Sequence, residues 1–158
     1  MRELILLRHA NAEPIGTGQT DFDRALSSQG LSEAADAGQW LASQKLIPDR
    51  VLCSPARRTR ETLEAVFDAI GDIEHQLESD IYQASPGTLI GLIQAQQEVE
   101  RLMLVGHNPG MERLLALLHS GRSGDYRGMP TAGVAVLTFP AGDAIEPGGA
   151  ILSAFWWP

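Results

Sequence analysis

Histidines and arginines stand directly after three short apolar runs: Leu7 leads into Arg8-His9, Cys53 into Ser54-Pro55-Ala56-Arg57-Arg58, and Val105 into Gly106-His107. Guanidinium groups hold phosphate oxygens in a bidentate fork and keep their charge at any working pH. A neutral imidazole is a nucleophile, and a protonated one donates hydrogen bonds. Gathered in one pocket, these residue types bind a phosphoryl group and stabilise its spread charge during transfer, with the arginines supplying the charge that a metal ion would otherwise bring. The sequence therefore calls for no metal and no other cofactor.

Such a pocket needs the three apolar runs to be strands of one sheet, because ligands of open α/β sheets bind beyond the carboxyl ends of the strands. Residues 4–7 form a continuous apolar run, the pattern of a strand buried on both faces, and residues 51–53 and 102–105 read the same way. Helical patterns separate them. Ser32 reads as the cap of a helix with Ala35, Trp40, Leu41 and Leu46 near helical spacing, stopped by Pro48. Thr59, Leu63, Val66, Phe67 and Ile70 share one face of a second helix that begins near Arg57 and ends at Gly71. Ser85-Pro86 opens a third, and residues 111–119 make an amphipathic fourth. Residues 10–25 and 121–130 read as loops, and residues 73–84 as either a short strand or a loop. Residues 134–139 and 151–156 are final strands with no helix between them, which suits an antiparallel edge. The expectation is one α/β domain over residues 1–158, with a mostly parallel mixed sheet and helices on both faces.

The motifs Leu7-Arg8-His9-Ala10, Ser54-Pro55-Ala56-Arg57-Arg58 with Thr62 following, and Val105-Gly106-His107-Asn108-Pro109-Gly110 together resemble the histidine phosphatase superfamily, which includes the phosphoglycerate mutases. The small size and the Arg-His-Ala form are similar to its SixA-like phosphohistidine phosphatase branch. The resemblance runs from residue 4 to about residue 139. It implies a phosphoglycerate mutase-like fold with His9 as the nucleophile that takes the phosphoryl group. It also implies that Arg8 and Arg58 bind the phosphoryl oxygens and that His107 is a second pocket histidine, protonated by the dianion it meets. Arg57 is then left for the rim. Residues 26–31 resemble the segment before the first helix of the family, with Glu33 where a glutamine is more usual.

One part of the pattern is missing. Family members that act on phosphate esters carry a carboxylic acid in the middle segment to protonate the leaving alkoxide; Glu78 and Asp80 are the candidates here, and the pattern assigns neither to that position. A leaving imidazole demands less of a general acid, so the gap favours phosphohistidine over an ester. Two rivals stay open: a small-molecule ester phosphatase or mutase on the same scaffold, and a non-catalytic module that binds a phosphorylated partner through Arg8 and Arg58.

The rest of the composition sets limits. With 158 residues, 44% hydrophobic and 20% charged, the chain suits a compact domain of about 150 residues. Twelve basic against twenty acidic residues give a net charge of −8, which opposes binding to nucleic acid or to an anionic membrane surface. The apolar run at residues 4–7 is too short for a secretory signal, so a cytoplasmic location is expected. Cys53, the single cysteine, sits in an apolar stretch as a small buried thiol. His75 and His119 read as ordinary histidines and Trp156-Trp157 as strand packing. Arg122 and Arg127, in a glycine-containing loop, are candidates for the pocket mouth. The partner expected is a phosphorylated protein or a small phosphorylated molecule.

Overall fold

The computed structural model describes residues 1–125, 128–140 and 144–158. Six strands, β1 (Glu3–Arg8), β2 (Arg50–Cys53), β3 (His75–Leu77), β4 (Arg101–Gly106), β5 (Val134–Thr138) and β6 (Ile151–Trp156), form one sheet in the order β3-β2-β4-β1-β5-β6. The first four are mutually parallel, whereas β5 and β6 add an antiparallel edge. The helices are α1 (Ser28–Ser43), α2 (Arg57–Ile70), α3 (Pro86–Gln94) and α4 (Gly110–Ser120).

Strand periodicity divides the core in two. Successive side chains of a strand point to opposite faces, so Leu4 and Leu6 of β1 join Leu102 and Leu104 of β4 in a cluster with residues of α3 and α4. Ile5, Leu7, Met103 and Val105 enter a second cluster with residues of α1 and α2. All eight side chains are fully buried. The expected mixed sheet with helices on both faces is therefore the observed architecture. Among the described residues no helix is long and apolar enough to cross a membrane.

The start of α1 departs from expectation. The cap is Ser27, whose side chain accepts the Gly30 N–H, so the helix begins before Ser32 and runs only to Ser43. The reason for a glycine in its first turn is contact: a Cβ on Gly30 would lie 1.9 Å from the Asn11 carbonyl oxygen. That carbonyl also accepts the Ser27 N–H at 3.0 Å, which fastens the chain just after His9 to the helix start. Residues 73–84 resolve into β3, paired in parallel with β2, and a 3₁₀ turn at Ser79–Ile81. Pairing with a distant strand decides this, not local propensity.

Gly30→Ala is expected to lower stability by about 1–3 kcal/mol, because backbone must move to admit the methyl group. A chemical-denaturation curve measures it. An unchanged midpoint would show that the Asn11 segment yields freely.

Candidate active site

The parallel pairing of β1 with β4 sets Arg8 opposite Gly106, so His9 and His107 leave the sheet side by side. The His9 N–H donates to the Gly106 carbonyl at 3.0 Å, and the two rings stand 5.3 Å apart. On the other side of β4, Cys53 of β2 pairs with Val105, which places Ser54 against His107. A cavity of about 720 Å³ opens there, lined by Arg8, His9, Arg58 and His107 among others. The four residues singled out from sequence are thus brought together.

His9 is buried and fixed. Its Nδ1 lies 2.7 Å from the Ala10 carbonyl oxygen, which can only accept, so Nδ1 carries the proton and Nε2 the lone pair. The Ala10 N–H donates to Thr62 Oγ1 at 3.0 Å, and that hydroxyl donates to the Arg58 carbonyl at 2.7 Å. The His9 loop is thereby tied to α2. Burial pushes the imidazole down to about 4, reinforced by the positive charges of Arg58, Arg8 and Arg24 and opposed by the Ala10 hydrogen bond. At neutral pH His9 is an uncharged, oriented imidazole.

His107 shares a 2.8 Å hydrogen bond between its Nε2 and Ser54 Oγ, which also accepts the Ala56 N–H. Burial, followed by Arg58 and His9, pushes it down to about 3. With protein groups alone it is therefore neutral, and its protonation would depend on an anion in the cavity. The arginines are anchored by fixed acceptors. Arg8 donates from Nη1 to the Met129 carbonyl at 2.9 Å, and Arg58 from Nη1 and Nη2 to Asp21.

Four buried side-chain nitrogen or oxygen atoms lack a hydrogen-bond partner among the described residues, and three belong to this cavity: Arg8 Nε, Arg58 Nε and His107 Nδ1. An unmet buried polar group costs about 1–3 kcal/mol. Such a concentration at two cationic side chains marks the place where an anion would be stabilised.

Sequence reasoning missed Asp21, Arg24, Tyr82 and Arg113, which also line the cavity. Asp21 lies in a 3₁₀ turn (Asp21–Asp23) inside the segment read as a plain loop. Its Oδ2 accepts Tyr82 OH at 2.5 Å and Arg58 Nη2 at 3.0 Å, while Oδ1 accepts Arg24 Nη1 at 3.0 Å. The Tyr82 hydroxyl first, then Arg24 and Arg58, hold the Asp21 carboxyl well below the usual carboxylate range. Tyr82 and Arg58 are 61 and 37 residues away in the chain, so no local spacing announces them. A charged Asp21-Phe22-Asp23-Arg24 cluster within a glycine-rich segment was the available signal.

Other candidates fall elsewhere. Glu78 and Asp80 do not line the cavity; the middle segment reaches it through Tyr82, Gln83, Ala84 and Ser85 instead. Arg57 is 47% exposed and faces Glu61 at 3.5 Å, outside the lining. Arg122 is exposed and also outside it, and Arg127 lies outside the described residues. Cys53 is fully buried, and burial pushes its thiol up to about 12. His75 packs edge-on against Phe67, His119 is in the last turn of α4, and Trp156 stacks on Trp40 while Trp157 is exposed.

A family model described as histidine phosphatase superfamily (branch 1) matches residues 4–109. The chain is 37% identical over 163 aligned residues to an uncharacterised protein of Mycobacterium tuberculosis, covering 96% of this chain and 99% of that protein. It is 28% identical to the phosphohistidine phosphatase SixA of Escherichia coli (strain K12), over 77% of this chain and 76% of the other. Among solved structures, the candidate phosphohistidine phosphatase SixA from Agrobacterium tumefaciens superposes with a TM-score of 0.86 at 35% identity, covering 99% of this chain and 98% of that one.

The depressed histidines couple folding to pH. Unfolded imidazoles titrate near 6.5, whereas folded His9 and His107 titrate near 4 and 3, so the unfolded chain binds more protons between these values. Stability is full above about pH 6.5 and falls as the pH drops toward 4. Melting midpoints between pH 7 and pH 4 are expected to fall less steeply in His107→Asn than in the unsubstituted chain; parallel curves would contradict this.

Proposed function

The chain belongs to the histidine phosphatase superfamily, and on that premise we propose that it removes the phosphoryl group from a phosphohistidine of a protein, by way of a phosphorylated His9. The observation that carries this reading is the state of His9: neutral, with Nδ1 bonded to the Ala10 carbonyl and Nε2 left as the nucleophilic nitrogen, beside two arginines whose Nε groups lack acceptors.

In the first step the Nε2 lone pair of His9 forms a bond to phosphorus while the bond from phosphorus to the substrate nitrogen breaks. The substrate imidazole, already protonated on its other ring nitrogen, keeps that electron pair and departs as neutral imidazole. Arg8 and Arg58 offset the negative charge on the equatorial oxygens throughout. A dianion in the cavity raises the proton affinity of His107, which then donates to a phosphoryl oxygen. In the second step water attacks the phosphohistidine, releases orthophosphate and returns His9 to its neutral form.

The leaving group decides between substrates. An alkoxide needs a proton as it departs, and the one carboxyl among the described residues lining the cavity, Asp21, is held ionised by Tyr82, Arg24 and Arg58. Imidazole departs without a protonated carboxyl. The cavity volume, about 720 Å³, also falls within the roughly 300–1,000 Å³ usual for ligand sites, ample for a side chain carrying the phosphoryl group.

A panel containing a phosphohistidine protein, sugar phosphates and phosphoglycerate tests the assignment, with turnover of the first expected to exceed the others. His9→Ala is expected to abolish turnover and the acid-labile phosphoenzyme while leaving the melting midpoint in place; turnover retained by this variant would sink the mechanism. Because Arg8 and Arg58 supply the positive charge, dialysis against a chelator is expected to leave the rate unchanged. A rate restored only by a divalent ion would oppose that part.

A further inference from the structure

A guanidinium carries five N–H bonds in a rigid plane, so contacts made along one edge dictate what the others present. In Arg58, Nη1 donates to the backbone carbonyl of Asp21 at 2.8 Å and Nη2 to its Oδ2 at 3.0 Å. Both bonds use the end of the fork. What remains is the lateral edge, formed by Nε and the Nη hydrogen on the same side, and Nε is buried without an acceptor.

Asp21 is itself held from two further directions. Tyr82 OH donates to Oδ2 and Arg24 Nη1 to Oδ1, so the carboxylate has a partner on each oxygen beyond Arg58. The Tyr82 ring stands edge-on to His107 at 5.3 Å and lies 5.9 Å from the Arg58 guanidinium carbon. These contacts connect the Asp21–Asp23 turn, α2 and the chain ahead of α3 around one side of the cavity.

Resting on the phosphatase reading above, we propose that Asp21 is a positioning residue for phosphoryl transfer: by occupying the end of the Arg58 fork, it turns the lateral edge toward the phosphoryl oxygens. Two N–H groups on that edge match two oxygens of a phosphoryl group. The Tyr82 hydroxyl and Arg24 keep Asp21 ionised and in place for this task.

Charge alone would give the opposite outcome. Asp21 offsets one positive charge in the cavity, so its neutral isostere would attract an anion more strongly by Coulomb's law and turn over no more slowly. Orientation predicts a slower reaction, because misplacing a catalytic group by about 1 Å costs about a hundredfold. The two accounts differ in sign.

The experiment is a double-mutant cycle on the full chain with a phosphohistidine protein, using Asp21→Asn, Arg58→Ala and the pair. Asp21→Asn is expected to lower kcat by about a hundredfold while KM moves by less than about threefold. In the Arg58→Ala background the same change is expected to cost less than about twofold, since Asp21 then has nothing to orient. Tyr82→Phe, which removes one hydrogen bond to Asp21, is expected to give a smaller loss that likewise vanishes without Arg58. Full or raised activity in Asp21→Asn would overturn the proposal, as would equal losses with and without Arg58. Running His9→Ala beside these variants separates the two readings: if it is inactive while Asp21→Asn is unimpaired, the positioning role fails and the phosphatase reading stands.

Discussion

The parallel pairing of β1 with β4, with Arg8 opposite Gly106, is the constraint from which the site follows. It delivers two chain segments almost a hundred residues apart to one edge of the sheet, with the His9 N–H bonded to the Gly106 carbonyl and the imidazoles 5.3 Å apart. The pairing is held by burial on both faces. Leu4 and Leu6 enter one half of the core, Ile5 and Leu7 the other, and the same alternation runs through residues 102–105. Each such side chain contributes roughly 1.5–3 kcal/mol when fully buried, so a slip that misplaced them would forfeit most of the core. Register is therefore fixed by packing, and the polar residues at the strand ends inherit it.

Burial then sets the chemistry. An imidazolium in a desolvated cavity beside arginines is unfavourable twice over, through lost hydration and through like charge, and both effects keep His9 and His107 neutral. Arginine cannot escape its charge in this way. It is accommodated instead by fixed acceptors: the Met129 carbonyl for Arg8, the Asp21 carbonyl and carboxylate for Arg58. The result is a neutral imidazole nitrogen next to fixed positive charge.

The arginines that open α2 illustrate the same accommodation. A helix start disfavours cations, yet Arg57, Arg58 and Arg60 occupy the first turn. Arg57 faces Glu61, Arg58 is held by Asp21, and Arg60 Nε donates to the Pro55 carbonyl at 2.9 Å. Only Arg58 of the three lines the cavity. The opposed dipole is thus offset residue by residue, by partners with different positions in the chain.

Much of the fold was legible because it is recorded in short-range pattern. Buried strands read as apolar runs, α2 as an amphipathic face ended by Gly71, and α3 as Ser85-Pro86 followed by Leu89 and Ile93. Strand polarity and residue chemistry pointed to the chain at the ends of β1, β2 and β4, and the resemblance to the histidine phosphatase superfamily singled out Arg58 over Arg57. The start of α1 is not legible locally, because Ser27 and Ser32 are equivalent caps by local rule and the approach of Gly30 to Asn11 distinguishes them. Glu78 and Asp80 were candidates by sequence position, whereas tertiary structure brings Tyr82 to the cavity and supplies its carboxylate from Asp21. The sequence by itself determined which groups stand at the strand ends. Tertiary structure alone decided how the Arg58 fork is held and which acid faces it, because those contacts join residues whose separation leaves no periodicity to read.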